Sequence, residues 1–241
     1  MKSLIYRVGA DSTDLGGGMY GLLNEDLTFT YLPIPERDDS VSTPKYRDHP
    51  MKDEIPERIL DKHIHLDPNF KQGTYGNICV YPNGNRNPKG QKLLQFEDKT
   101  PVRVVFFSAL KDEKENLRYG FIGQLIASQI KKIDELSDEK KTINVHGQRE
   151  NGEGDSRSVI AISDKKDPRS GRFSKFIEFA SFRDGCYRVR PDLIERWGGW
   201  SSNNGYCQRG GPWTPGNHKK FERWLDKKLA EKSIQILQSN W

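Results

Sequence analysis

Val102-Arg103-Val104-Val105-Phe106-Phe107-Ser108-Ala109 constrains this chain more than any other segment. β-Branched and aromatic residues dominate it, and the run has the length and composition of a central strand. Other stretches supply neighbours for it. Leu4-Ile5-Tyr6-Arg7-Val8-Gly9 reads as a buried first strand. Thr28-Phe29-Thr30-Tyr31-Leu32 alternates polar and apolar residues and reads as one arm of a hairpin, stopped by Pro33 and Pro35, which cannot donate to a ladder. Ser158 to Ser163 and Phe173 to Phe182 read as further strands.

Arg118 to Ala127 carries two patterns. Ile122, Leu125, Ile126, Ile130 and Ile133 fit helical spacing, yet Gly120 and Gly123 would each cost a helix about 1 kcal/mol. Tyr119 and Phe121 favour a strand, so a strand is expected through about Ile126, with an irregular or helical tail. Residues 36–56 and 82–90 read as long, proline- or asparagine-rich loops, and a short helix is expected over 57–62. Lys140 to Arg157 is polar and reads as an exposed connection. At the other end, Gly216-Asn217 can cap a helix in which Phe221, Trp224, Leu225 and Leu229 repeat at three and four residues. Lys219, Lys220, Arg223, Lys227 and Lys228 give it a basic outer face.

Strands outnumber helices in this reading. The expected fold is α+β: a strand-rich mixed or curved sheet with a C-terminal amphipathic helix. At 241 residues the chain suits a single domain over 1–241, with a C-terminal subdomain at about 183–241 as a variant of that organisation. Five Trp, nine Tyr and eleven Phe give bulky core material that disordered chains lack. No apolar run approaches the roughly 18–20 residues of a membrane span. Three cysteines at 79, 186 and 207 are too few for a disulfide scaffold and fit a reducing compartment, so a soluble, cytoplasmic protein is expected. The formal charge of +5 permits a nucleic-acid or phosphate partner without requiring one.

Lys62-His63-Ile64-His65-Leu66-Asp67-Pro68 holds the densest chemistry. In an extended segment residues i and i+2 share a face, which puts His65 beside Asp67 and lets His63 join them. This is an acid/base or metal-ligand arrangement in need of a partner, or else a surface turn in which Asp67 bonds its own backbone. The spacing matches no zinc pattern, so no metal ligands are assigned. His146 and His218 are expected in solvent, Cys79 in the core, and Cys186 either as a buried thiol or as a nucleophile at a loop mouth. Asp11 follows the first strand, where a carboxylate is well placed for binding or catalysis. The glycines 16–18 allow backbone amides to approach a phosphate, although the loop is neither a Walker A sequence nor GxGxxG. Trp197-Gly198-Gly199-Trp200 and Gly210-Gly211-Pro212-Trp213 present aromatics that either stack on bases or pack against one another.

Taken in order, these motifs resemble the nucleotide modification associated domain 3 family over about residues 3–165. The resemblance rests on Arg7-Val8-Gly9-Ala10-Asp11-Ser12, the glycines 16–18, Leu32-Pro33-Ile34-Pro35, His65-Leu66-Asp67-Pro68, Gly73-Thr74-Tyr75-Gly76, Lys89-Gly90, Val104 to Ala109 and Arg118 to Gln124. It implies a role linked to modified nucleotides in DNA, as an enzyme acting on bases or nucleotides. Asp11 and Asp67 match the family's prominent acidic positions, with His65 beside the second. Asn77-Ile78-Cys79-Val80-Tyr81 departs from the glutamine-, alanine- and histidine-containing loop expected after the glycine stretch.

On this reading Asp11, His65 and Asp67 are the catalytic candidates. Ser12, Gly16, Gly17, Gly18, Tyr75, Lys89 and Arg118 are the substrate-binding candidates, with nucleic acid or a nucleotide as partner, no membrane and no cofactor assigned. A non-catalytic reader of nucleic acid and a metal-dependent nuclease using Asp11, His65 and Asp67 are the alternatives.

Overall fold

The computed structural model describes residues 1–10, 19–149, 155–164, 166–208 and 211–241. In chain order its elements are β1 (Lys2–Arg7), β2 (Gly21–Leu23), β3 (Phe29–Thr30), α1 (Glu57–Leu60), β4 (Thr74–Ile78), α2 (Pro88–Leu94), β5 (Val102–Asp112), β6 (Leu117–Lys132), α3 (Asp138–Lys141), α4 (Val145–Gln148), β7 (Ser158–Ser163), β8 (Gly171–Glu178), β9 (Ala180–Arg183), β10 (Cys186–Val189), α5 (Pro191–Arg196), α6 (His218–Glu231) and β11 (Ile236–Leu237).

A long antiparallel hairpin, β5 with β6, is the spine of a nine-stranded mixed sheet. Each of its outer edges is shared by two strands. Along β5 run β1 and β2, both parallel to it. Along β6 run β8 against its first half and β7 against its second, both antiparallel. Beyond these lie β3, β4 and β11, while β9 and β10 form a separate ribbon. The fold is the expected strand-rich α+β arrangement with a C-terminal helix.

The apolar run of β5 is explained by burial on both faces. Val104 and Phe106 join Leu4, Tyr6, Leu125 and Ala161 on one face, under Leu93 of α2. Val105 and Phe107 point the other way and join Phe121, Trp197, Trp213, Phe221 and Trp224. The glycines of β6 serve these layers. A Cβ at Gly120 would lie 2.4 Å from the Phe176 ring, and one at Gly123 would lie 2.5 Å from Phe70.

Three local expectations change. The segment after Ile126 is neither irregular nor helical: β6 continues to Lys132 and pairs with β7. A register shift between Ala127 and Gln129 breaks the two-residue alternation there, which hides the strand in the sequence. The expected strand over 173–182 is two strands, β8 and β9, interrupted at Phe179. Of the span 140–157, the described residues do not form an exposed connection, because α3 ends and α4 folds among them and Asn144, His146 and Asp155 are buried.

The C-terminal helix forms as its pattern requires. The Asn217 side chain accepts from the Lys220 amide as N-cap, and Phe221, Trp224 and Leu225 are buried. Trp197 is fully buried, with ring centroids 5.1 Å from Phe221 and 4.9 Å from Trp224. The Trp-rich segment therefore packs under the sheet instead of offering Trp197 and Trp213 to bases. Cys79 lies in the core as expected, and burial pushes its thiol up to about 11. Cys186 is half-buried. Among the described residues no helix is long and apolar enough to cross a membrane.

Candidate active site

Residues 63–65 lie extended between two other segments. The His65 amide donates to the Ile34 carbonyl, the Glu36 amide donates to the His63 carbonyl, and the Ile64 amide donates to the Pro44 carbonyl. Alternation then puts Glu36 and His65 on the same face, and Glu36 Oε2 lies 2.6 Å from His65 Nδ1. His63 turns away, with its Nδ1 2.7 Å from the Thr43 carbonyl. It does not join His65.

Asp67 is buried against β4. The Gly76 amide donates to both of its oxygens, at 2.8 and 3.0 Å, and Asn144 Nδ2 donates to Oδ1 at 3.2 Å. Asn144 has a second task. It is the N-cap of α4, accepting from the His146 amide, and so aims His146 into the same pocket. The pocket is closed by the absence of a side chain at Gly76, where a Cβ would lie 2.6 Å from the His146 ring.

The result is a convergence of three groups. His146 Nε2 lies 3.5 Å and His65 Nε2 4.0 Å from Asp67 Oδ2. The two imidazoles meet edge to face, with centroids 5.2 Å apart. Their other nitrogens are engaged behind the site: His65 Nδ1 by Glu36, and His146 Nδ1 by Ser158 Oγ at 3.1 Å. Arg149 bridges the rear, donating through Nη2 to both Glu36 oxygens at 3.0 Å, with Nη1 3.2 Å from His146 Nδ1.

The electrostatics follow from burial. Burial opposes ionisation of Glu36, but the His65 hydrogen bond and charge, with Arg149, hold its carboxyl well below the usual range. Burial lowers His65 against the pull of Glu36, and lowers His146 to about 3 with help from Arg149. His146 is thus neutral at pH 7. Burial also raises Asp67 to about 7, against the attraction of His65, the Gly76 amide and Asn144. Tyr31, whose buried hydroxyl has no hydrogen-bond partner among the described residues, lies close enough to feel the Asp67 charge. Such a set of groups can exchange protons with a bound molecule or hold a cation.

Of the residues singled out in the sequence, His65 and Asp67 are brought together. Tyr75 is buried in the neighbouring core, its ring 4.8 Å from Tyr6, and its hydroxyl accepts from Asn77. Lys89 sits at the start of α2, with its amide bonded to the Asn87 cap and its carbonyl accepting from Tyr6. Arg118 is held elsewhere, bidentate on Glu178 at 2.5 and 2.8 Å and near Asp112, where it lines a separate cavity of about 370 Å³. Asp11, Ser12, Gly16, Gly17 and Gly18 lie outside the described residues. The preceding Ala10 belongs to the same apolar cluster as Leu66, so the first strand does lead toward this part of the molecule.

Sequence reasoning missed Glu36, Asn144, His146 and Arg149. His146 is buried, contrary to the solvent expectation, because Asn144 and Ser158 satisfy its polar atoms. His218 is half-buried, with Nδ1 accepting from the Ser3 amide. The available signal was Asn144-Val145-His146-Gly147, a cap residue followed at once by an imidazole.

The molecule is a mixed α/β protein with a buried centre of two histidines and one carboxylate. The chain belongs to the nucleotide modification associated domain 3 family, whose model matches residues 2–231. No curated protein and no solved structure matches it. Family membership suggests a role in nucleic-acid modification.

Proposed function

We propose that this chain is an enzyme that modifies bases or nucleotides, with its reaction centre at His65, Asp67 and His146. One observation carries the reading: three ionisable groups converge in a buried pocket, and each is fixed from behind by a partner that no surface role would need. Glu36, Arg149, Asn144 and Ser158 are positioning residues. Family membership supports nucleic acid or its nucleotides as the substrate class.

The reader-module alternative has less support. Its aromatic platform is largely buried, and Glu231 pairs with both Lys227 and Lys228 of α6.

The test incubates the full chain with DNA, RNA and free nucleotides and follows nucleoside masses. A new nucleoside species is expected. Its formation should fall by about 100-fold or more in Asp67→Asn and in His65→Gln, the scale of losing a group that acts on reacting atoms. Folded variants that keep full activity would sink the assignment.

A further inference from the structure

We propose that His65, Asp67 and His146 are the protein ligands of one divalent first-row transition ion, held on two imidazole Nε2 atoms and one carboxylate oxygen. The inference deepens the reading above and rests on it for its chemical consequence, but its geometry stands separately.

One ligand atom from each residue lies within 4.8 Å of the others. Donors about 2.1 Å from a tetrahedral ion are about 3.4 Å apart. The His146–Asp67 separation of 3.5 Å is already there, and His65, 4.0 Å from the same oxygen, must move inward to close the set. The same distances weigh against an ordinary buried hydrogen-bonded cluster. An N–H···O bond closes to about 2.7–3.2 Å, and both imidazoles stop short of that while aiming at Oδ2.

The outer contacts are those that ligands require. A metal-bound imidazole donates its other N–H to a carboxylate or another oxygen, which fixes the tautomer. His65 has Glu36 in that position and His146 has Ser158. Asn144 holds Asp67 through Oδ1, which turns Oδ2 toward the histidines. Loading places the His146 proton on Nδ1, facing Ser158, so Arg149 Nη1 must leave that nitrogen. Asp155 Oδ2, 4.0 Å away, is the acceptor it can turn to.

The donor set names the class of ion. Two neutral nitrogens and one oxygen suit zinc, iron(II), cobalt(II) or manganese(II), whereas calcium and magnesium favour oxygen alone. Three protein ligands leave positions open for water or a substrate oxygen. The spacing hid this in the sequence, because His146 comes from a segment remote from the His65–Asp67 pair.

The test strips the full-length protein with a chelator and titrates it with Co²⁺, following visible ligand-field bands, and with Zn²⁺, followed by elemental analysis after dialysis. One ion per chain is expected. Asp67→Asn and His146→Gln should lose it, Ser158→Ala should weaken it by about 10–100-fold, and His218→Gln should leave it unchanged. Circular dichroism identifies variants that have not folded, and Ser158→Ala keeps the test open if the ligand variants fail. A folded wild-type chain that takes up only sub-stoichiometric Co²⁺ and Zn²⁺ overturns the proposal, as does undiminished uptake by folded Asp67→Asn. Stoichiometric, ligand-dependent uptake without nucleotide processing would leave the ion site standing and remove the enzyme reading. Processing that depends on Asp67 in a chain that takes no ion would do the reverse.

Discussion

Two regions of the molecule solve opposite problems. One packs Trp197, Trp213, Phe221 and Trp224 from the C-terminal third of the chain against Phe121 of β6 as a layer of rings. In the other, against β4 and β7, Glu36, His65, Asp67, Asn144, His146 and Arg149 bury polar atoms that must each find a partner. The ring layer gains from every atom it hides from water. The polar cluster gains nothing from burial itself, and its groups persist because each is bonded from behind. Stability is therefore concentrated in the first region and the proposed chemistry in the second.

Four substitutions would break or sharpen that contrast. Trp197→Ala empties the centre of the ring layer and should cost about 3–5 kcal/mol, read from denaturant unfolding. The chain that stays folded should keep its activity per molecule. Gly76→Ala forces a methyl against the His146 ring and should cost about 1–3 kcal/mol, with loss of both ion uptake and nucleotide processing. A fall in stability without loss of function would place the reaction elsewhere. Asn144→Ala removes a helix cap and should cost about 0.5–2 kcal/mol. It also frees Asp67 Oδ1, so an effect on activity larger than on stability is expected. Arg118→Ala breaks a half-exposed pair with Glu178 and should change stability by about 1 kcal/mol or less. If it instead abolishes processing with unchanged stability, the Arg118 cavity belongs to the substrate path.

The contrast also marks where sequence reading fails. Val102 to Ala109, Ser158 to Ser163 and the capped helix after Asn217 follow from patterns contained in a few consecutive residues. The tail of β6 does not, because a bulge shifts its alternation. Segment 140–157 fails for a deeper reason. Its polarity is that of an exposed loop, and polar residues are buried only when partners exist, here Asp67 and Thr74 on distant stretches and Ser158 on the strand that follows. Nothing in Asn144 or His146 by itself records those partners.

By itself the sequence determined the strand-rich fold, the family, and the pairing of His65 with Asp67, since alternation along an extended chain is a local rule. Only the tertiary structure decided that His63 points away, that His146 completes the centre, and that Glu36 and Arg149 fix it from behind. Those choices depend on which segments meet across the sheet, and on the missing side chain at Gly76 that lets an imidazole lie against the backbone.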